Sequence, residues 1–254
     1  MTAQRPRGVL QIGCGGFGQV HLQAWYALGL GDALYVADPD PLARERATRL
    51  NLPPERIAAD FRDVLDRAEV VDVVASTALN AELCLAALAA GKDVFVEKPM
   101  TVTTGEALRV AEAERASGGR VVQVGYYFRH HPLARRAKAW LDAGELGTLR
   151  YLSGTFAGFK RARRDIGVTQ SDAVHFIDLF NWFTGSLPVE AFAVTRDHFG
   201  RGLEDLSLVL LTYPGGVVAK VESGLVQPGR RHDTVMPNAH TTKEVAVSGS
   251  EAAF

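Results

Sequence analysis

The sequence has few cysteines, almost no net charge and no long apolar run. Two cysteines in 254 residues, Cys14 and Cys84, are too few for a disulfide framework, and no Cys-x-x-Cys motif is present. A formal net charge of −1 provides no basic surface of the kind that nucleic acid or an anionic membrane attracts. No uncharged apolar stretch approaches the ~18 residues of a membrane span, and no signal-peptide core follows the amino terminus. These absences predict a cytoplasmic protein without nucleic-acid or membrane partners.

The composition that remains is that of a globular protein. Hydrophobic residues make up 47% and charged residues 22% of the chain, which is ample material for one or two cores. At roughly 100–200 residues per domain, 254 residues correspond to one large or two ordinary domains. Glycine is in slight excess, with 25 residues, and this is a first indication of turns in which the backbone approaches a ligand.

Apolar runs and helical patterns alternate through the first half of the chain. Strands are predicted over residues 9–12, 33–37, 70–75, 94–96 and 121–124, and helices over 20–28, 42–50, 81–90 and 104–117. Alternation at this spacing indicates a parallel sheet with helices on both faces.

The pattern changes near residue 125. Helices over 133–143 and 171–184 accompany strands over 149–156, 191–196, 206–213, 217–223 and 244–248. Thr169 or Ser171 is the expected N-cap of the second helix, and Gly185 follows its end. We therefore expect an α/β domain over residues 1–124 and an α+β domain with an open, mainly antiparallel sheet over residues 125–254. No closing element follows the last strand, so we expect the second domain to be truncated.

A glycine-rich turn follows the first predicted strand and opens the first helix. Its spacing, Gly13-x-Gly15-x-x-Gly18 with Gly16 and Phe17 between, matches a dinucleotide-binding fingerprint in its proper context. The first glycine permits the tight turn, the second lets the backbone approach a pyrophosphate, and the third lets helix and strand pack closely. The positive end of the helix dipole then faces the phosphates. The turn predicts a dinucleotide cofactor.

Asp38 ends the second predicted strand, 20 residues after Gly18. A carboxylate there accepts both hydroxyls of the adenosine ribose and repels a 2′-phosphate, so NAD is favoured over NADP. The alternative is a simple turn in which Asp38 only precedes Pro39. Cys14, inside the glycine turn, has no partner base in the sequence and is expected to be a small filler.

The tripeptide Glu97-Lys98-Pro99 ends a predicted strand at its carboxyl end, where open α/β sheets bind ligands. Beside a cationic nicotinamide a lysine loses its proton more readily, which suits Lys98 to proton transfer or to orienting a hydroxyl. Glu97 would pair with Lys98 or with neighbouring backbone groups. Taken alone, Lys98 has the pattern of an ordinary surface lysine.

Asp172 and His175 are three residues apart on one predicted helix and therefore share a face. A histidine there is a candidate general base or acid near neutral pH, oriented by a carboxylate. Because the flanking residues are largely apolar, His175 is alternatively a buried core group. Asp172 alternatively contacts a substrate hydroxyl or stabilises the start of the helix.

The further candidates for a substrate pocket are basic. Arg129 follows the last strand of the first half and would hold an anionic or polyhydroxyl group, unless it belongs to a loop between the domains. Lys160 opens a basic run over residues 160–165 that would suit a carboxylate, a phosphate or a nucleotide sugar, and the alternative is a solvated loop. The adjacent His130 and His131 have no third ligand at a useful spacing, so no metal is expected.

Four stretches together resemble one family, the Gfo/Idh/MocA oxidoreductases (glucose–fructose oxidoreductase, inositol dehydrogenase and rhizopine catabolism). They are residues 13–18, 88–99, 144–147 and 175–179, of which the second is the most specific. The resemblance implies a Rossmann domain that binds NAD and an α+β domain whose open sheet forms homodimers or homotetramers. It also implies hydride transfer between nicotinamide and a hydroxyl or carbonyl carbon of a sugar, cyclitol or related polyol. Lys98 and His175 would be the catalytic residues.

The chain departs from the family pattern at three points. Ser171 occupies the position of a frequent aspartate four residues before His175, while Asp172 follows one residue later. Asn80 replaces a frequent histidine, and family members are usually longer. These departures leave two other functions open. One is an NAD-binding sensor or partner subunit without catalysis, and the other is an enzyme that retains NAD and performs non-redox chemistry through a transient ketone.

Overall fold

The computed structural model describes residues 8–49, 52–160, 162–233 and 238–254, and the chain divides into two compact units, Met1–Gly125 and Tyr126–Phe254. Arg161, part of the predicted basic run, lies outside the described residues. None of the described helices is both long enough and apolar enough to cross a membrane. Each unit contains its own six-stranded sheet.

The first unit is a parallel sheet whose strands alternate with helices. Its strands are β1 (Val9–Ile12), β2 (Leu34–Ala37), β3 (Ile57–Ala58), β4 (Val70–Val73), β5 (Asp93–Val96) and β6 (Val122–Val124). Its helices are α1 (Gly16–Ala27), α2 (Pro41–Thr48), α3 (Thr77–Ala89) and α4 (Thr104–Ala116). The strand order is β3-β2-β1-β4-β5-β6, with every pair parallel. The predicted parallel α/β fold is confirmed, and β3 was missed because two residues carry no periodicity.

The order of the strands determines where a ligand would meet the first sheet. All four residues of β1 are buried, as is usual for a central parallel strand covered on both faces. The strand order reverses between β1 and β4. The loops that follow Ile12 and Val73 therefore border the crevice in which sheets of this kind bind ligands.

The second unit combines two helices with a mixed sheet. Its strands are β7 (Leu149–Ala157), β8 (Glu190–Arg196), β9 (Leu206–Thr212), β10 (Val218–Gly224), β11 (Arg231–His232) and β12 (His240–Gly249), and its helices are α5 (Pro132–Asp142) and α6 (Val174–Thr184). The strand order is β11-β12-β7-β10-β9-β8. Only the β7–β10 pair is parallel among the described strands of this sheet. The expected open, mainly antiparallel sheet is confirmed.

The start of α6 differs from the expectation. A π-helical turn, Thr169–Ala173, continues directly into α6, so the prediction of Thr169 or Ser171 as N-cap is wrong. The N–H of Ser171 already donates to the carbonyl of Gly167 at 3.0 Å, and the Thr169 hydroxyl donates to Ser207 Oγ at 2.9 Å. Gly185, with φ at 66°, follows the end of α6 as expected.

Gly154 in β7 determines how closely α6 approaches the sheet. A Cβ at Gly154 would lie 2.4 Å from Cδ1 of Phe176, whose side chain is fully buried. Phe176 directly follows His175 in α6. The absence of a side chain at Gly154 therefore makes room for the first turn of α6.

Gly154→Ala is expected to destabilise the second unit by about 1–3 kcal/mol, because the added methyl group must displace a packed phenyl ring. Gly105→Ala in α4 is the matched control, since no atom lies within 4 Å of a Cβ at that position. It should be neutral or slightly stabilising. Urea unfolding followed by circular dichroism measures both variants. Equal unfolding midpoints would contradict the packing argument.

Candidate functional site

Gly13 turns the chain at the end of β1 against the loop after β4. Its φ is +104°, and a Cβ there would lie 2.4 Å from the carbonyl oxygen of Val74. A Cβ at Gly18, in the first turn of α1, would lie 2.4 Å from the carbonyl oxygen of Gly13. Sterics therefore require glycine at both positions.

Gln11 fixes the glycine turn from inside the sheet, and sequence reasoning missed it. Its side chain is fully buried in β1, and its Nε2 donates to the carbonyl oxygens of Gly13 and Gly18 at 2.8 and 2.9 Å. Burial of an amide N–H group is unfavourable unless it is hydrogen-bonded, and these two bonds satisfy both donors of the side chain. The available signal was one polar residue in an otherwise apolar strand.

The glycine turn opens onto a cavity of about 570 Å³ in the first unit. No atom lies within 4 Å of a Cβ at Gly15 or Gly16, so the backbone there faces open space, and Phe17 lines the same cavity. α1 begins at Gly16 and has no acidic residue in its first turn. Its unbonded N–H groups and the positive end of its dipole suit the binding of a pyrophosphate.

Asp38 lines the same cavity, directly after β2. Its Oδ2 accepts from the N–H of Cys14 at 2.7 Å, and its Oδ1 accepts from the N–H of Asp40 at 2.9 Å. These bonds orient the carboxylate and leave acceptor capacity on both oxygens for two vicinal hydroxyls. The cavity therefore fits a pyrophosphate with an adjoining ribose, which is the phosphate–sugar portion of a dinucleotide.

Burial disfavours the thiolate form of Cys14 in this turn. Its side chain is fully buried, and burial, reinforced by the charge of Asp38, raises the pKa of the thiol to about 12. A thiol in this state is not a nucleophile near neutral pH. The residue is a small filler, as expected.

Glu97 and Lys98 follow β5 at the carboxyl edge of the first sheet, and both are half-buried. Oε2 of Glu97 accepts from the main-chain N–H of Lys98 at 3.2 Å, and Oε1 lies 3.2 Å from Nε2 of His21. The Lys98–Pro99 peptide bond is cis, and the Pro99 carbonyl accepts from Nδ2 of Asn80 at 3.2 Å. Sequence reasoning missed His21, because its partners are far away along the chain.

His175 is 1% exposed and lies among three aromatic rings of the second unit. Its imidazole stacks on Phe128 with the centroids 4.6 Å apart and meets Tyr127 edge-on at 4.9 Å. The ring of Phe156 is 6.4 Å away. These contacts hold the imidazole in one orientation, which both a general base and a buried core histidine require.

Asp172 and Lys160 form a buried ion pair beside the same Phe156. Lys160 Nζ donates to Asp172 Oδ2 at 2.6 Å, and both side chains are 6% exposed. The ammonium lies 3.8 Å from the centre of the Phe156 ring. Burial lowers the pKa of Lys160, and the charge of Asp172 opposes that shift. Phe156 is thus a common neighbour of Lys160 and His175, and Asp172 adjoins it through Lys160.

A second ion pair near Phe156 was missed by sequence reasoning. Lys243 Nζ lies 4.8 Å from the centre of the Phe156 ring and 2.8 Å from Oδ2 of Asp233. The hydroxyl of Thr241 donates to the same oxygen at 2.7 Å. No motif marks these residues, because Lys243 reaches the ring only through the pairing of β12 with β7, in which it lies opposite Phe156.

Arg129 is engaged by a carboxylate of its own unit. Its Nε and Nη2 donate to Oδ2 and Oδ1 of Asp178 at 2.7 and 2.6 Å, a bidentate pair. The pair joins the short turn Tyr127–His130 to α6. A role of Arg129 in substrate binding stays a prediction.

Two family models together match nearly the whole chain. Residues 7–126 match the model described as "Oxidoreductase family, NAD-binding Rossmann fold". Residues 134–254 match the model described as "GFO/IDH/MocA C-terminal domain".

The curated relatives include inositol 2-dehydrogenases. The enzyme of Burkholderia multivorans is 33% identical over 221 residues, which cover 83% of this chain and 65% of the relative. Inositol 2-dehydrogenase 2 of Saccharopolyspora erythraea is 31% identical over 218 residues, which cover 83% of this chain and 64% of the relative. The chain thus spans about 65% of the length of the curated relatives it matches.

Solved structures share the fold. Myo-inositol 2-dehydrogenase from Lactobacillus plantarum superposes with a TM-score of 0.83 at 23% identity, covering 98% of this chain and 76% of that chain. A levoglucosan dehydrogenase in complex with NADH and levoglucosan has a TM-score of 0.83 at 22% identity, covering 97% of this chain and 72% of that one. The first unit is an NAD-binding Rossmann fold, and the chain belongs to the GFO/IDH/MocA oxidoreductase family.

Proposed function

We propose that this protein is an NAD-dependent dehydrogenase that acts on a secondary hydroxyl of a cyclitol or a related sugar. Family membership and the inositol 2-dehydrogenase relatives, at 33% and 31% identity, support this reaction class. The observation that carries the proposal is the cavity of the first unit. There the glycine turn offers a site for a pyrophosphate and Asp38 a site for a ribose.

The residues of the first unit would bind and orient the cofactor. When bound, NAD would supply the acceptor for the hydride that leaves the carbinol carbon of the substrate. The N–H groups at Gly15, Gly16 and Phe17 would hold the phosphates, and Asp38 would accept from the ribose hydroxyls. NAD rather than NADP follows from the negative charge of Asp38, which repels a 2′-phosphate.

His175 and Lys98 are the proposed acid–base residues, as the family resemblance implies. His175 would accept the hydroxyl proton during oxidation and return it in the reverse direction, and Lys98 would polarise the reacting oxygen. The fixed orientation of the His175 ring against Phe128 and Tyr127 is compatible with this role. The hydrogen bond from the main-chain N–H of Lys98 to Glu97 supports the proposed role of Lys98.

The charge balance of the second unit favours an uncharged polyol as substrate. Lys160 is paired with Asp172 and Arg129 with Asp178, so the positive charges proposed for substrate binding are each matched by a carboxylate. An anionic substrate would have to displace these contacts, which in a buried pair is costly. A cyclitol or sugar instead needs only hydrogen-bond donors and acceptors, which neutral pairs still offer.

Self-association through the second sheet is proposed as the quaternary arrangement. Phe192 of β8 and Leu210 of β9 are cross-strand partners, 64% and 46% exposed, and Leu208 is 37% exposed on the same face. An apolar row of this kind on a sheet face marks an interaction surface. A second copy of the chain would cover it.

The cytoplasm stays the predicted compartment, supported by two free, buried cysteines.

Asp38→Ser is expected to weaken NADH binding roughly tenfold, because charge-assisted hydrogen bonds to the ribose would be lost. It should also narrow the preference for NADH over NADPH. Asp66→Asn removes an exposed carboxylate of the same unit, paired with Arg67, and should bind as the wild type. Titrations of NADH and NADPH fluorescence give the dissociation constants. A wild-type chain that binds NADPH as tightly as NADH would argue against the assignment of Asp38.

Lys98→Ala and His175→Ala are each expected to lower kcat about 10²–10⁴-fold, because each removes an acid–base group. Absorbance at 340 nm with a panel of inositols and sugars measures turnover, and His198→Ala, at an exposed histidine, is the control. Near-full activity of both variants would refute the assignment. NADH binding without turnover would indicate a sensor, and product formed without free NADH would indicate an enzyme that retains NAD.

Leu210→Glu is expected to dissociate the oligomer, because a carboxylate would be buried in the apolar interface. Leu42→Glu, at a 66% exposed leucine of α2 in the other unit, is the matched control and should leave the assembly unchanged. Sedimentation velocity gives the masses, and circular dichroism verifies the fold. A monomeric wild-type chain would rule out the proposed interface.

A further inference from the structure

His21 connects two carboxylates, one in β4 and one directly after β5 of the first sheet. From α1, its Nδ1 lies 3.1 and 3.0 Å from the two oxygens of Asp72, and its Nε2 lies 3.2 Å from Oε1 of Glu97. Ionised carboxylates only accept hydrogen bonds, so both ring nitrogens must carry a proton. The geometry therefore calls for an imidazolium between the two acids.

Asp72 gives this bridge a fixed inner end. It lies in the middle of β4, is fully buried, and also accepts from Nε1 of Trp25 at 2.7 Å. A buried carboxylate is unfavourable unless it is paired and hydrogen-bonded. The cationic ring of His21 supplies the opposite charge for Asp72, and the indole of Trp25 supplies a further hydrogen-bond donor.

Glu97 gives the bridge its outer end, at the residue before Lys98. One oxygen of Glu97 faces His21 at 3.2 Å, and the other accepts from the main-chain N–H of Lys98 at 3.2 Å. A Cβ at Gly125 would lie 2.8 Å from Oε1 of Glu97, so the glycine makes room for this carboxylate. Both oxygens of Glu97 therefore have a partner, and the side chain links the ring of His21 to the main chain of Lys98.

Two aromatic rings also lie against His21. Phe17, in the glycine turn, meets the imidazole edge-on with centroids 5.4 Å apart, and Phe95 of β5 is 5.9 Å away. The charged groups that face the ring are Asp72 from β4 and Glu97 after β5. Burial lowers the pKa of His21, but hydrogen bonds to the two carboxylates outweigh burial and raise it from 6.5 to about 9.

We propose that His21 is a positioning residue, which through Glu97 fixes the main chain of Lys98 and through Phe17 adjoins the glycine turn. This inference rests on the proposed function, because Lys98 is there the acid–base residue. No sequence motif indicates the bridge of His21, Asp72 and Glu97, because its three residues are far apart along the chain.

The first measurement concerns the charge on His21. In ¹⁵N spectra of the histidine rings, the signal lost in His21→Gln should report an imidazolium up to a pH of about 9. Because the pKa is raised in the folded state, the bridge stabilises the fold fully below a pH of about 6.5 and loses this contribution as the pH rises through about 9. The difference in urea midpoint between wild type and His21→Gln should shrink over that range. A pKa of the His21 imidazole near its ordinary value of 6.5 would overturn the proposal.

The second measurement concerns Lys98 and needs no turnover. The rate at which an amine reagent acetylates Lys98, followed by peptide mass mapping across pH, should change in His21→Gln. Glu97→Gln keeps the side-chain shape and should reproduce the change, which keeps the test available if His21→Gln fails to fold. His198→Gln, at an exposed histidine of the second unit, is the matched control and should label as the wild type.

Turnover separates this inference from the proposed function. His21→Gln should lower kcat roughly 10–100-fold with little change in KM, as expected when a reacting group is displaced from its geometry. Wild-type labelling and wild-type kcat in His21→Gln would refute the positioning role, even if Lys98→Ala abolishes turnover. If Lys98→Ala keeps its activity, the proposed role of Lys98 is wrong, and altered labelling in His21→Gln would still establish that His21 positions it.

Discussion

The close approach of the Gly13 turn to the loop after β4 constrains the rest of the first unit. A Cβ at Gly13 would lie 2.4 Å from the Val74 carbonyl, and a Cβ at Gly18 would lie 2.4 Å from the Gly13 carbonyl. The turn is closed by the buried amide of Gln11, which bonds both glycine carbonyls. Because the backbone itself forms this contact, α1 begins with its free N–H groups toward the cavity, and Asp38 is close enough to accept from Cys14.

Three buried carboxylates that are each paired with a basic side chain are the second organising feature. Asp72 is matched by His21, Asp172 by Lys160, and Asp233 by Lys243. Such pairs contribute little net stability, because desolvation offsets much of the attraction. Removing one partner is strongly unfavourable, however, so each pair specifies one arrangement of the elements that carry it. In both units these pairs lie next to residues proposed to act in binding or catalysis.

The sequence predicted the fold well where periodicity and glycine geometry are local. The elements of the first sheet, the mainly antiparallel second sheet and the end of α6 at Gly185 all follow from apolar patterns and turn residues. The two-residue strand β3 and the π-helical turn before α6 did not, since neither has a distinct pattern. Of the candidate site, the motifs led to the glycines, Asp38, Lys98 and His175. They could not lead to Gln11 or His21, whose importance comes from partners brought close only by the fold.

The π-helical turn also changes how the family departure at Ser171 is interpreted. A π turn closes its hydrogen bonds over five residues instead of four, so residue spacing no longer maps directly onto a helical face. Position 171 and position 172 are both within this turn, and the carboxylate at Asp172 faces Lys160 beside Phe156. The ring of His175 is a neighbour of the same phenyl group. A carboxylate is therefore retained in that environment although Ser171 is not an aspartate. It is retained as half of a neutral pair. Under the proposed function, such a pair would orient a hydroxyl of an uncharged polyol by hydrogen bonding rather than by net charge.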